Sequence, residues 1–333
     1  MKILMYSVRP DEHAVIEQWA TDHQATIEFN TEILSAETVD LANGYDGIVL
    51  AQHEALADPI IYEKLSAMGI HHIALRITGY DIIDFKLAKE HHILVTNVPA
   101  YSPRSVAEEA LTHAMMLIRN IKVTTKMMQW HDYSWKNLQA REVHNLTVGV
   151  IGVGKIGTTT ARLFKALGAT VLGHDIVERP EIADTLTYVS KEDLLAQSDI
   201  VSIHTNMDES TWHLISDQEL KLMKPTAILL NCARGPIVDI KALENALQNG
   251  EIAGAGLDTF EGDEHIFGND LRQNDTVSTD LIDRLMAMDN VTVTPHIGFY
   301  TDAAVDNMVK IALNDVAKLL NDEPKDVHLV TEG

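Results

Sequence analysis

Six residues near the middle of the chain, 152–157, read Gly-Val-Gly-Lys-Ile-Gly and separate a predicted strand from a predicted amphipathic helix. The strand, 147–151, is apolar, and the helix repeats its apolar residues at a spacing near 3.6. In that setting Gly152 permits a tight turn, Gly154 lets the backbone approach a pyrophosphate, and Gly157 lets the helix pack closely on the strand. The segment therefore predicts a dinucleotide-binding fold.

The residues around this motif refine the prediction. Amides at the helix start, among them those of Lys155 and Ile156, would face the phosphates. Asp175 ends the next predicted strand, 18 residues after Gly157, close to the position of the acid that binds the adenosine ribose. A carboxylate there repels a 2′-phosphate, which favours NAD over NADP, although Arg179 lies four residues further on.

Strands alternate with helices along most of the chain, which predicts an α/β fold with parallel sheets and right-handed crossovers. The predicted strands of the first hundred residues are 2–8, 47–50, 72–77 and 93–97. The predicted strands of the second series are 147–151, 170–174, 200–204, 227–231, 252–257 and 291–293. Ser105, with Glu108 three residues later, predicts a capping box that begins a long helix ending near Asn120. Another helix is predicted over 301–320.

The chain has 333 residues, which is enough for two domains of the usual size. Lys and Arg number 26 against 49 Asp and Glu, a formal net charge of −23. Such an acidic protein repels phosphate backbones and anionic lipid, so neither nucleic acid nor a membrane is an expected partner. The single cysteine and the absence of an apolar signal core favour a cytoplasmic protein. The 16 histidines show no metal-ligand spacing, so no metal is expected.

Three polar segments of the second half each follow a predicted strand. They contain Arg234, the run that begins at Asp258, and His296. The carboxyl ends of parallel strands face the ligand crevice of such a sheet. Reduction of a 2-oxo acid needs a cation for the carboxylate, a proton donor for the carbonyl oxygen, and a group that tunes that donor. Arginine offers a planar fork that matches a carboxylate, so these residue types are suited to that reaction.

The chain resembles the NAD-dependent D-2-hydroxyacid dehydrogenases, within them the D-lactate and D-2-hydroxyisocaproate dehydrogenase branch. The resemblance covers nearly the whole chain, and its most specific motifs are 97–103, 148–157, 233–236, 256–263, 294–296 and 299–301. It implies a Rossmann-type nucleotide domain, 101–299, inserted into a flavodoxin-like substrate domain, 1–100 with 300–333. It also implies a homodimer, which the long apolar helix 105–118 favours as well.

The resemblance assigns three catalytic roles. His296 would donate the proton, and Arg234 would bind the substrate carboxylate and polarise the carbonyl. A carboxylate would pair with His296 and favour its charged form. The family usually has glutamate five residues after the position of Asp258, where this chain has Asp263. Either Asp263 reaches His296 or the neighbouring Glu264 does so, and the register favours Asp263.

Further binding residues follow from the same resemblance. Beyond the glycines, Lys155, Ile156 and Asp175, the implied cofactor contacts are His204, Thr205, Asn206, Thr211, Cys232, Ala233, Arg234 and Asp258. The implied substrate contacts are Ala51, Thr78, Gly79, Tyr101, Arg234, His296 and Phe299. The family commonly has His-Val-Pro at 204–206 and Asn-Val at 77–78, where this chain has His-Thr-Asn and Ile-Thr. The cofactor wall is therefore altered, whereas the backbone donors near Gly79 are kept.

Ala51 carries the prediction of substrate size. Lactate-preferring members of the branch have a tyrosine in the segment that matches 47–52, and members for branched or aromatic side chains have a smaller apolar residue. Each buried CH₂ group of a substrate contributes about 0.8 kcal/mol. We therefore expect a preference for bulkier 2-oxo acids, such as 2-oxoisocaproate or phenylpyruvate. The alternatives are a D-lactate dehydrogenase that acts mainly on pyruvate and a non-catalytic NAD-sensing protein.

Overall fold

The computed structural model describes residues 1–272 and 277–330. The chain divides into two compact units. One consists of Met1–Ser102 with the segment from Tyr300 onward, and the other of Pro103–Phe299. Residues 273–276 and 331–333, which belong to the two predicted domain ranges, lie outside the described residues.

Short strands and helices alternate along the described residues. The strands are β1 (Lys2–Met5), β2 (Thr26–Phe29), β3 (Gly47–Leu50), β4 (His72–Leu75), β5 (Leu94–Thr96), β6 (Thr147–Ile151), β7 (Thr170–His174), β8 (Thr187–Tyr188), β9 (Ile200–Ile203), β10 (Ile228–Asn231), β11 (Gly254–Leu257) and β12 (Val291–Val293). The helices are α1 (His13–Asp22), α2 (Pro59–Ala67), α3 (Phe85–Glu90), α4 (Pro103–Ile118), α5 (Ile121–Gln129), α6 (Lys155–Ala166), α7 (Lys191–Gln197), α8 (Asp217–Leu222), α9 (Ile240–Asn249), α10 (Asp280–Ala287) and α11 (Asp302–Leu320). The central strands of both sheets are apolar and buried on both faces, as parallel strands between two helix layers are.

The first unit is a five-stranded parallel sheet in the order β2-β1-β3-β4-β5, which is the flavodoxin-like order. Helix α11 packs against β3, β4 and α1, where the Trp19 indole donates to Asn314 Oδ1 at 2.9 Å. The tail beyond α11 lies beside β5, since the Val330 amide donates to the Val95 carbonyl oxygen at 2.9 Å. The segment after α11 therefore borders the sheet that the first residues began.

The second unit is a seven-stranded parallel sheet in the order β12-β11-β10-β9-β6-β7-β8. Counted from β6, this is the strand order of a dinucleotide-binding fold with one further strand at the β12 edge. Helices α4 and α6 pack on each other and cover one face. The predicted fold class, two doubly wound parallel-sheet domains with one inserted into the other, is confirmed.

Some predicted boundaries were wrong. The capping box at Ser105 does not form, because α4 already begins at Pro103 and Ser105 is a buried residue within it. The first strand ends at Met5 rather than at residue 8. Strands β2 and β8 were not predicted: three of the four residues of β2 are exposed, and β8 has two residues, so neither leaves a buried apolar run in the sequence.

Across residues 1–272 and 277–330, no helix combines the length and the apolarity that crossing a membrane requires.

Candidate active site

Most of the residues predicted for the cofactor and for catalysis lie in the second unit, where its parallel strands end. Because all these strands run in one direction, the residues after them share one edge of the sheet. The first residues of interest after β6, β7, β9, β10, β11 and β12 are Gly152, Asp175, His204, Cys232, Asp258 and Thr294. The sheet topology therefore brings together groups that are far apart in the sequence.

The glycine turn after β6 fits a dinucleotide. Gly152 has φ +85°, and a Cβ there would lie 2.6 Å from the backbone of His204. A Cβ on Gly157 would lie 2.0 Å from the Gly152 carbonyl oxygen. At Gly154, in contrast, no heavy atom lies within 4 Å of the Cβ position. The backbone is therefore open at the residue predicted to face a pyrophosphate, just before α6 begins at Lys155 and Ile156.

Asp175 is held by the backbone around it. One carboxylate oxygen accepts from the Val153 amide at 2.6 Å and the other from the Val177 amide at 2.9 Å. Arg179 lies beside it, with Nη1 at 3.8 Å from the carboxylate and a further hydrogen bond to the Val153 carbonyl oxygen. The carboxylate is thus fixed at the end of β7, next to the glycine turn.

The segment after β9 offers polar atoms to a ligand. Nε2 of His204 lies 2.9 Å from Ser202 Oγ, and burial lowers the pKa of the His204 ring to about 4, so it is neutral at pH 7. Within the described residues, Nδ1 of His204 and the Thr205 hydroxyl are buried without a hydrogen-bond partner. The Thr211 hydroxyl donates to the Asn206 carbonyl oxygen at 2.8 Å and so closes this loop. Orphaned buried polar atoms beside the glycine turn are expected where a cofactor binds.

Arg234 is positioned by Asn231, which sequence reasoning missed. The buried Asn231 side chain accepts from the Ala233 amide at 3.1 Å and donates to the Arg234 carbonyl oxygen at 3.0 Å. Nη1 of Arg234 donates to the Ala233 carbonyl oxygen at 2.9 Å. Cys232 is buried against α4, and burial raises the pKa of its thiol well above the ordinary value, so it stays a neutral thiol. An asparagine at the end of a buried strand was the available signal for the shaped turn.

Residues 294–298, here called the His296 loop, are held by Asp258. His296 has φ +55°, an unusual conformation for a residue other than glycine, and its amide donates to the Asp258 carbonyl oxygen at 3.0 Å. The Asp258 carboxylate accepts from the amides of Ile297 and Gly298, each at 2.8 Å, and from the Thr294 hydroxyl at 2.6 Å. Backbone strain of this kind persists only where the surroundings impose it. Asp258, predicted as a cofactor contact, therefore also fixes the conformation of His296.

Asp263, rather than Glu264, is built into this edge. Its carboxylate accepts from the Phe260 amide at 2.9 Å, whereas Glu264 is exposed. Burial raises the pKa of Asp263 from its ordinary value of 3.8 to about 6; the charges of Glu264 and Asp258 add to this, and Arg234 opposes it. Arg234, Asp258 and Asp263 are therefore electrostatic neighbours. Phe299 lies close to His296, with ring centroids 6.3 Å apart.

The remaining predicted substrate residues lie in the first unit, after β3, β4 and β5. Ala51 is half-buried just beyond β3, and Gly79 is half-buried beyond β4. The Thr78 hydroxyl donates to the Val98 carbonyl oxygen at 2.7 Å, which ties these two segments together. The Tyr101 carbonyl oxygen accepts from Asn307 on α11 at 2.7 Å.

A buried ion pair that sequence reasoning missed supports this edge of the first unit. Arg76 is fully buried and bonds Glu12 at 2.8 and 2.9 Å. It also donates to the carbonyl oxygens of Tyr6 at 2.9 Å and Ser7 at 2.6 Å. Arg76 therefore connects the ends of β1 and β4, and its guanidinium is engaged within the protein.

Among residues 1–272 and 277–330, two groups of His, Asp and Glu side chains have polar atoms within 4.8 Å of one another, although the sequence predicts no metal. One group is Glu109, His113 and Asp258, and the other is His213, Asp239 and Glu261. In the second group His213 Nε2 lies 3.1 Å from Glu261 Oε1. Members of both groups hydrogen bond other parts of the protein: His113 contacts Thr292 and Thr294, and Asp239 accepts from the Ala242 amide.

Known proteins resemble this chain over its whole length. The family model described as D-isomer specific 2-hydroxyacid dehydrogenase, NAD binding domain, matches residues 111–298. A D-2-hydroxyacid dehydrogenase (NAD(+)) of Clostridioides difficile is 40% identical over 323 residues, which cover 96% of this chain and 97% of that protein. A solved D-lactate dehydrogenase from Sporolactobacillus sp is 49% identical with a TM-score of 0.86, covering 100% of this chain and 99% of that one. The structure of D-2-hydroxyisocaproate dehydrogenase is 37% identical with a TM-score of 0.92, covering 100% of both chains.

Proposed function

This chain belongs to the D-isomer specific 2-hydroxyacid dehydrogenase family, and from that premise we propose its catalytic residues and its substrate class. It is an NAD-dependent oxidoreductase of D-2-hydroxy acids. We infer that it reduces 2-oxo acids with larger side chains than that of pyruvate, and that Arg234, Asp263 and His296 carry the reaction. The strained backbone of His296 is the observation that carries this proposal. The Asp258 carbonyl oxygen accepts from the His296 amide, and the Asp258 carboxylate accepts from the Thr294 hydroxyl and the Ile297 amide on either side.

The proposed proton donor is His296. Its loop is fixed by hydrogen bonds to Asp258, so the imidazole is presented from a backbone that does not need to reorganise during the reaction. NADH, when bound, supplies the hydride. His296 would give its proton to the oxygen of the substrate carbonyl, and it would take a proton back in the reverse direction.

Arg234 would bind the substrate carboxylate. The Asn231 side chain fixes the turn that carries it, so the guanidinium starts from a defined backbone. Its planar fork can hold a carboxylate and polarise the neighbouring carbonyl group. The amides near Thr78 and Gly79 are the further proposed donors to that carboxylate.

Asp263 is the proposed partner of His296. It is half-buried and lies close enough to Arg234 and Asp258 for their charges to shift its pKa, whereas Glu264 is exposed. A carboxylate near an imidazolium favours its charged form. In its ionised state Asp263 would therefore keep His296 ready to donate a proton at neutral pH.

Ala51 supports the proposed substrate class. The residue is half-buried directly after β3, and the next residue, Gln52, is tied to the Leu34 amide at 2.9 Å and to the Glu54 carbonyl oxygen at 3.1 Å. The backbone at Ala51 is thus held on its C-terminal side. A methyl group there occupies less space than the tyrosine of lactate-preferring members of the branch. One relative is named for hydroxyisocaproate, and another, at higher identity, is named for lactate.

A panel of 2-oxo acids tests the substrate class. We expect kcat/KM for phenylpyruvate to exceed that for pyruvate by about tenfold or more, a difference of the size that pocket contacts produce. Ala51→Tyr should lower this ratio by about tenfold, because the ring fills the space. Ala55→Tyr, at an exposed position of the same segment, is the matched control and should leave the ratio unchanged.

The outcomes separate the alternatives. A wild-type preference for pyruvate contradicts the proposed substrate class and favours a D-lactate dehydrogenase. Normal NADH binding without oxidation by any 2-oxo acid contradicts the catalytic proposal and favours an NAD-sensing protein.

We propose a cytoplasmic homodimer as the working state. The predicted reason needs correction, since the apolar face of α4 packs inside the second unit, where Ala107, Ala110 and Ala114 are fully buried. Two exposed tryptophans after α5 support the proposal instead. Trp130 is 78% exposed and Trp135 is 90% exposed. Aromatic side chains are enriched at protein–protein interfaces, so Trp135→Arg should shift the mass in light scattering toward the monomer.

A further inference from the structure

Helix α4 places two titratable side chains against the strands that end at the candidate site. Glu109 and His113 are one helical turn apart, and His113 is buried with 1% of its surface exposed. His113 Nδ1 lies 2.7 Å from the Thr292 hydroxyl, and Nε2 lies 3.0 Å from the Thr294 hydroxyl. Burial lowers the pKa of His113 to about 4, so the ring is neutral and is fixed by the two threonines.

Glu109 lies between this histidine and the His296 loop. Its Oε1 is 3.5 Å from His113 Nε2, and it hydrogen bonds Thr294. Its Cβ and Cγ lie 3.5 Å from the position that a Cβ on Gly298 would occupy. The side chain is 19% exposed. Glu109 therefore hydrogen bonds one end of the loop that carries His296 and lies beside the other.

Two carboxyl groups compete for one hydroxyl proton at this point. The Thr294 hydroxyl has one proton and faces both Asp258 Oδ1, at 2.6 Å, and Glu109. It can donate to only one of them. Burial raises the pKa of Asp258 as well, but its carboxylate accepts two backbone amides and the Thr294 hydroxyl, which oppose that shift and favour its ionised form. Two adjacent carboxylates with little solvent do not both ionise readily, so the extra proton belongs on Glu109.

The surrounding charges agree with this assignment. Burial raises the pKa of Glu109, and the charge of Asp258 raises it further, while the Thr294 hydrogen bond acts in the opposite direction. The described titratable groups facing the pair include His113 on the same helix, Cys232 after β10 and Asp263 after β11. His113 and Cys232 are neutral, and Asp263 adds negative charge when it ionises. Arg234 lowers the pKa of Asp263, but it is not among the groups that shift the pKa of Glu109 or Asp258, so it does not offset a second carboxylate there.

We propose that Glu109 is a positioning residue for the reduction: as a neutral acid beside the Asp258 carboxylate, it hydrogen bonds Thr294, lies beside Gly298 and keeps the His296 loop in place. The inference rests on the proposed role of His296. Glu109 acts through the loop and not through contact with the reacting atoms. Its removal should therefore lower kcat and leave the affinity for NADH intact.

Steady-state kinetics with NADH and phenylpyruvate, or with pyruvate if that is the better substrate, tests the proposal. Glu109→Ala should lower kcat by about tenfold or more while KM for NADH changes by less than about threefold. Glu109→Gln, which has the shape and the neutral charge of the acid, should recover most of that loss. Glu108→Gln is the matched control, because Glu108 is on the same helix, is exposed and pairs with Arg104.

Infrared spectroscopy at pH 7 tests the protonation state and does not depend on the alanine variant folding. The difference spectrum between wild type and Glu109→Gln should contain the carbonyl band of a protonated carboxylic acid. The same difference for Glu108→Gln should contain carboxylate bands instead.

Three results would overturn the proposal. They are carboxylate bands in the Glu109→Gln difference spectrum, a glutamine variant as impaired as Glu109→Ala, and an alanine variant with wild-type kcat. A His296→Asn variant distinguishes failure of the proposed role of Glu109 from failure of the proposed function of His296. If His296→Asn is inactive while Glu109→Ala is normal, only the role of Glu109 is wrong, whereas an active His296→Asn removes the premise.

Discussion

At the scale of single residues, the candidate site depends on groups whose environments set their charge. Asp258 accepts several hydrogen bonds and orders the His296 loop, whereas Asp263 is half-buried and lies near other acids. The two carboxylates therefore have different tasks, although they lie on the same segment. His204, which is neutral through burial, adds a polar wall without adding charge.

The pH dependence of an Asp263→Asn variant follows from these environments. The folded-state pKa of Asp263 is about 6, so the wild-type carboxyl is protonated below that pH and ionised above it. The substitution should therefore matter little near pH 5, where the native group is already neutral. Near pH 8 it should lower the rate of 2-oxo acid reduction by about tenfold, because the ionised partner that favours charged His296 is lost.

The measurement is kcat/KM for the 2-oxo acid across this pH range. Its alkaline limb should move to lower pH in Asp263→Asn and stay in place in Glu264→Gln. A shift in the Glu264 variant alone would show that Glu264, and not Asp263, is the partner of His296.

At the scale of helices and strands, the sequence predicted most of the strands, but not β2 and β8, and it predicted at which edge of the sheet the ligand would bind. Buried apolar runs mark strands such as β6 and β10, and the sheet topology then places Gly152 and Arg234 at one edge. The supporting contacts were not predictable in the same way. Arg76 and Glu12 are 64 residues apart, and His113 and Thr294 are 181 apart. Such pairs are set by how elements pack, which no local pattern records.

The buried ion pair between β4 and the start of α1 leads to a stability prediction. Glu12→Gln leaves the fully buried Arg76 guanidinium without a charged partner. Breaking a buried pair by removing one member costs about 3–5 kcal/mol, so the free energy of unfolding should fall by about that amount. Urea denaturation measures it. Glu17→Gln, on the exposed face of α1, is the control, and an equal change in both variants would mean that the pair contributes nothing specific.

At the scale of the whole molecule, a net charge of −23 opposes both of the ligands that the protein uses. NADH and 2-oxo acids are anions, so the attraction has to come from local groups, and Arg234, His296 and the start of α6 are the groups that we propose for it. The net charge thus favours solubility and repels nucleic acid and anionic membranes. It acts on ligand binding only as a long-range repulsion.

Added salt should therefore not weaken the binding of NADH to this enzyme. Raising the ionic strength from about 0.01 M to about 0.1 M shortens the Debye length from about 30 Å to about 10 Å and screens the distant acidic groups. We expect KM for NADH to stay constant or to fall over this range. A rise of several fold would indicate that long-range attraction, and not local contacts, draws the cofactor in.

The most direct test of the catalytic role of His296 is the chirality and the rate of product formation from 2-oxoisocaproate and NADH by the wild type and by His296→Asn. We predict that the wild type forms only the D-2-hydroxy acid. We also predict that His296→Asn loses about 100-fold or more of kcat, as removal of a general acid does, while it binds NADH normally by fluorescence titration. An L or racemic product, or a His296→Asn variant with undiminished kcat, would contradict this.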